Sequence, residues 1–153
     1  MTHAYLDHSE HFKTTVAQDV AALLLGDCLG YGTTRAIYEH ALDKTLVVKV
    51  ENEARSFCNV MEHEVWERVK DTAFAKWFAP VVNISPAGSI LIMRKCEAVR
   101  RDELPDKVPA FFTDIKPENF GRLDGRIVCL DYGYHLLMEH GMTKRLVKAK
   151  WDE

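Results

Sequence analysis

The chain has 153 residues, of which 47% are hydrophobic and 28% charged, with a formal net charge of −3. That is enough chain for one domain, or for two small lobes sharing a cleft, with a real core. The slight acidity argues against non-specific nucleic-acid binding. No apolar run reaches the roughly 18 residues of a membrane span, and no signal-peptide pattern opens the chain, so a cytoplasmic protein is expected.

Cys28, Cys58, Cys96 and Cys129 are far apart and form no C-x-x-C pair, so they read as buried thiols of a reducing compartment. His63-Glu64 lacks a second histidine at the spacing of a metalloprotease helix. His3, His8 and His11 read as part of a polar N-terminal arm, with a loose metal cluster as the lesser alternative.

In chain order, a helix is expected from about Lys13 to Leu25, with Val16, Val20, Leu23 and Leu24 on one side and Gly26 as its stop. A flexible glycine-bearing loop, Leu29-Gly30-Tyr31-Gly32, leads into a hairpin. Its strands are Ala36 to His40 and Leu46 to Val50, joined by a turn at Asp43-Lys44. The periodicity from Glu53 to Val69 predicts a helix with Phe57, Val60, Met61, Val65 and Val69 on its apolar side. Val81 to Ile84 and Ile90 to Met93 read as a second hairpin. Residues 94–109 read as a charged connector. Phe120 to Leu123 and Arg126 to Leu130 flank Asp124-Gly125, a strong hairpin signal. The end, about His135 to Trp151, reads as a helix interrupted near Gly141. The fold class is α+β.

The chemistry concentrates around the third hairpin. Asp114, Lys116 and Asn119 precede it and Asp131 follows it. A tight hairpin brings its ends together, so two carboxylates, an amide oxygen and a lysine should converge. Such a set suits a divalent metal on a polyphosphate.

These segments resemble the protein-kinase-like superfamily, in its Ser/Thr protein kinase branch. Asp114-Ile115-Lys116-Pro117-Glu118-Asn119 is similar to the catalytic loop D-L-K-P-E-N. Val128-Cys129-Leu130-Asp131-Tyr132-Gly133 resembles the D-F-G segment with its preceding strand, Leu46-Val47-Val48-Lys49 the V-A-I-K strand, and Leu29 to Ile37 the glycine-rich loop. The pieces occur in family order over roughly residues 26–135. The resemblance implies an antiparallel N-lobe with one inserted helix over about residues 1–93. A catalytic-loop hairpin and a severely reduced C-lobe would fill about 94–153.

It also implies ATP and Mg²⁺ as cofactors. Lys49 would contact the α/β phosphates, oriented by Glu64, with Glu62 a rival for that pairing. Gly30 and Gly32 would let the backbone approach the phosphates. Ile37 would line the nucleotide site, and Met93, Arg94, Lys95 and Cys96 would form the hinge that reads adenine. Asp131 and Asn119 would hold metal, Asp114 would orient the attacking hydroxyl, and Lys116 would steady the transferred phosphoryl group.

Three departures stand out. Arg35 replaces the third loop glycine, which either weakens phosphate wrapping or adds a cation, while Phe112 and Thr113 replace the histidine and arginine before the catalytic aspartate. About 18 residues separate the hinge from Asp114, and 20 follow Gly133, too few for the usual large lobe. Leu136, Leu137, Met138, Leu146, Val147 and Trp151, together with Val16, Val20 and Leu24, are expected to replace that scaffold, with homodimerisation a second route. Three readings follow: a minimal phosphotransferase acting on itself or a protein partner, a catalytically silent pseudokinase module that binds another protein, and an enzyme acting on a small-molecule or RNA substrate. The compaction suits a viral product acting in host cytoplasm.

Overall fold

The computed structural model describes residues 15–52, 56–133 and 141–151. The architecture is α+β. Helix α1 (Ala17–Leu24) leads into strand β1 (Leu25–Tyr31), followed by β2 (Arg35–His40) and β3 (Leu46–Glu51). Helix α2 (Cys58–Val69) comes next, then a 3-10 turn (Ala73–Trp77), β4 (Val81–Ile84) and β5 (Ile90–Arg94). The remainder holds β6 (Lys107–Pro109), β7 (Phe120–Leu123), β8 (Arg126–Cys129) and β9 (Leu146–Lys148). The expected histidine arm, the start of the α2 segment at Glu53, and His135 to Met138 lie outside the described residues.

Strands β1 to β5 form one antiparallel sheet in the order β1-β2-β3-β5-β4. The sheet has one strand more on its β2 side than the glycine pattern predicts. Leu25 to Tyr31 is paired backbone, with Gly30 opposite Ile37, and only the turn after Tyr31 remains of the expected flexible loop. β3 is central, so Lys49 lies between Ile37 of β2 and Leu91 of β5. Side chains alternate along a strand, which puts Val47, Lys49 and Glu51 on one face.

Helix α2 covers that face. Its buried positions, Cys58, Asn59, Glu62, Val65 and Val69, trace a stripe at three- and four-residue spacing. The Asn59 amide donates to Oε1 of Glu51 at 2.9 Å, so a strand carboxylate satisfies one of the orphan donors of the helix's first turn. Helix α1, by contrast, contains no buried residue, and Val16, Val20 and Leu23 are exposed. The expected packing of this helix beneath the 114–119 loop is therefore not found.

Beneath the sheet, aromatic rings form a continuous file. Phe74 meets Phe111 edge-on, Phe111 and Phe112 both contact Phe78, Phe112 meets Phe120, and Phe120 meets Trp151. Each fully buried ring is worth about 1.5–3 kcal/mol of transfer free energy, so the file is a major part of the core. Its last member comes from the chain's end, which is extended rather than helical over 141–151. There β9 pairs antiparallel with β6, Val147 opposite Val108, and Trp151 Nε1 donates to the Pro105 carbonyl at 3.1 Å. Leu146 is exposed and Val147 packs on the core, an alternation that suits a strand.

Candidate functional site

The β7–β8 hairpin turns at Asp124-Gly125, both in the left-handed region (φ 50° and 77°), as a two-residue primed turn requires. Its open end is closed by the Leu130 amide donating to the Asn119 carbonyl at 2.8 Å. Asn119 and Leu130, on either side of the hairpin, are thereby brought together, while Asp131 turns to Arg35. Asn119 Nδ2 donates to Oδ2 of Asp114 at 3.0 Å, and Lys116 Nζ lies 3.3 Å from Oδ1 of the same carboxylate. Asp114 is thus held at both oxygens while remaining partly exposed.

Across from this group, Lys49 Nζ donates to Oε2 and Oε1 of Glu62 at 3.0 and 3.2 Å, and to the Leu130 carbonyl at 2.5 Å. The lysine is therefore paired by Glu62. Glu64 is exposed, because it lies off the buried stripe of α2, and it does not reach Lys49. The Tyr132 amide also donates to Glu62, at 3.0 Å, joining the helix to the segment after β8.

A second cation enters the same cluster. The buried Arg35 guanidinium grips both oxygens of Glu62, at 2.8 and 2.9 Å, and donates to Oδ1 of Asp131 at 2.8 Å. A third acceptor, Asn59 Oδ1, lies at 3.1 Å from it. Burial opposes ionisation of Glu62, but Lys49 and Arg35 outweigh it and hold the carboxyl well below the usual range. Burial acts the other way on Asp131, pushing its carboxyl above the ordinary value despite Lys49, with Glu62 adding to the rise. Sequence reasoning takes Arg35 as a replaced glycine that weakens phosphate wrapping or adds a cation, without naming its partners. The signal that could have exposed its role was two acids, at 62 and 131, with a single lysine to answer them.

Between the sheet and Leu130 lies a small cavity of about 130 Å³, lined by Leu29, Ile37, Val47, Lys49, Met93, Arg94, Lys95, Cys96 and Leu130. It gathers Ile37, Lys49, Met93 and Lys95 of the sequence-predicted nucleotide set. Gly30 and Gly32 are not among its walls. A Cβ at Gly30 would meet no atom within 4 Å, and one at Gly32 only the Arg35 carbonyl at 3.6 Å, so internal packing does not demand either glycine. Burial pushes the Cys96 thiol up to about 11. The Lys95 amide is engaged by the Thr45 carbonyl at 2.8 Å, and its ammonium by Glu39. A larger concavity of about 510 Å³ adjoins the same 94–96 segment and is lined also by Lys44, Arg122 and Asp124.

Arg35 competes with Mg²⁺ for Asp131 as arranged. That ion takes near-octahedral oxygen ligands at about 2.0–2.1 Å, and one Asp131 oxygen is already held by the Arg35 guanidinium, while Asn119 donates to Asp114 through its NH2 group and not its carbonyl oxygen. Among the described residues no group of three or more His, Cys, Asp or Glu is placed to hold a metal ion. Nor is any described helix long and apolar enough to cross a membrane.

No protein-family profile matches the sequence, and no curated protein matches it. Among solved structures, the chain is similar to one described as a streptomycin-ATP-APH(2")-IIa ternary complex, at 15% identity and a TM-score of 0.42. The match covers 57% of this chain and 29% of that one.

Proposed function

We propose that this chain is an ATP-binding phosphotransferase of the protein-kinase-like class, built as a sheet-and-helix lobe of about residues 1–93 and a reduced lobe of about 94–153. The observation that carries this reading is the buried Lys49–Glu62 pair at 3.0 Å on the central strand, at the edge of a cavity with apolar walls. Burying a lysine and a glutamate costs several kcal/mol per ion before pairing, and a core alone does not need them. The pair makes chemical sense where an ammonium must be presented to phosphate.

Adenine is assigned to the cavity against Ile37, Val47 and Met93. The turn after Gly30 would lie over the phosphates. Asp114, fixed by Asn119 and Lys116, would orient a hydroxyl of the protein itself or of a protein partner, and Lys116 would offset charge on the transferred group. ATP supplies the phosphoryl group; the chain's residues bind, orient and shield it.

The test is transfer of label from γ-labelled ATP to the chain or to serine-rich acceptors, with Asp114→Ala beside the wild type. Orienting the hydroxyl is worth about 10²–10⁴-fold, so label should fall by at least the lower figure. Equal label in both proteins would end the catalytic assignment.

The Arg35–Asp131 contact favours a second reading, a silent module that binds ATP as a structural ligand and engages another protein. ATP binding without any label transfer would select it.

A further inference from the structure

Arg35 stands where the glycine-rich pattern has its third glycine, and its side chain turns inward. It is 6% exposed. Four of its contacts are spent on Asn59, both oxygens of Glu62, and Asp131, none of which a glycine could make.

Charge decides what this means for a ligand. Lys49, Glu62 and Asp131 alone would carry a net charge of about −1, which repels a polyphosphate unless a divalent cation is added. Arg35 brings the set to neutrality from within the protein. It does so on the very carboxylate that would otherwise hold the metal, at 2.8 Å from Oδ1. A second cation there would share one carboxylate with a guanidinium, like charge against like. Arg35 also grips Glu62 with a two-pronged fork, the strongest arrangement for such a pair. Glu62 is therefore still neutralised when Lys49 exchanges one of its contacts for a phosphate oxygen.

We propose that Arg35 is the resident cation of Asp131, so that the cleft takes up a nucleoside phosphate without a divalent metal. The inference rests on nucleotide binding in the cleft, which both readings above share, and concerns binding rather than transfer.

The experiment is calorimetric titration of ATP and ADP into the full chain, once in excess EDTA and once in millimolar Mg²⁺. Wild-type affinities should agree within about threefold between the two conditions. Arg35→Gly should lose about tenfold or more in EDTA and recover with Mg²⁺. Arg35→Lys, which keeps a cation and is the safer variant for folding, should retain most of the metal-independent binding. Wild-type binding that needs Mg²⁺ overturns the inference and leaves the nucleotide site standing. Absence of binding in both conditions overturns the inference and the nucleotide reading together. Should Arg35→Gly fail to fold, the wild-type comparison and Arg35→Lys decide the matter.

Discussion

Lys49 and Glu62, thirteen positions apart in sequence, meet at 3.0 Å with almost no solvent access. Glu64, two positions further along the same helix, faces solvent. Removing one partner of a buried pair leaves an uncompensated charge and costs about 3–5 kcal/mol. Glu62→Ala, which strands both Lys49 and Arg35, should lie at the upper end. Glu64→Ala should stay within about 0.5 kcal/mol of wild type, as exposed substitutions do. Urea denaturation of the two variants separates them, and equal losses would contradict the pairing.

Glu62 also sets a pH dependence. Its folded carboxyl is held well below the ordinary glutamate range, so the unfolded chain binds the proton more readily. Stability from this group is complete above the unfolded value of about 4.3, and is lost as pH falls toward the folded value. Asp131 is shifted upward, so its contribution has the opposite sign and declines as pH rises through its folded value. Glu62→Gln should flatten the acid limb of the stability profile between about pH 5 and pH 2. An unchanged limb would count against a depressed carboxyl.

Thiol chemistry offers a probe of the cavity. Cys28 is exposed, Cys58 and Cys129 are buried, and Cys96 is partly exposed with its thiol raised to about 11. Thiolate is the reactive form, so iodoacetamide near neutral pH should modify Cys28 first and Cys96 much more slowly. Saturating ATP should slow Cys96 further, because that residue lines the proposed adenine site. Peptide mass spectrometry reads each site, and rapid modification of Cys129 would contradict its burial.

Trp151 anchors the end of the chain. Its ring meets Phe120 at 5.0 Å, and its indole N–H donates to Pro105. Half-buried as it is, Trp151→Ala should cost about 2 kcal/mol, below the range for fully buried tryptophan. Thermal denaturation tests this, and an unaltered midpoint would mean that β9 holds without its anchor.

Local pattern made much of this legible. Alternation and turn residues located β2, β3, β4, β5, β7 and β8, and the Asp124-Gly125 signal fixed the hairpin that brings Asn119 beside Leu130. Three features depended on distant partners. β9 is a strand because β6 offers it an edge, which nothing within 141–151 announces. β1 carries two glycines and a mostly exposed run, so its pairing with β2 was hidden beneath a loop signature. The choice between Glu62 and Glu64 turned on helix phase: a stripe through Cys58, Glu62, Val65 and Val69 faces the sheet, but a buried acid on that stripe contradicts the apolar rule until Lys49 and Arg35 are in view.

The bond from the Leu130 amide to the Asn119 carbonyl makes the molecule unequally tolerant of length changes. Residues added at Asp124-Gly125 lengthen the tip and leave the closure of Leu130 on Asn119 in place. One residue added or removed within Arg126 to Cys129 reverses which side each following residue faces. Leu130 and Asp131 would then exchange directions, and the carboxylate would leave its arginine. Drift in this chain is therefore free at the tip and forbidden along the arms.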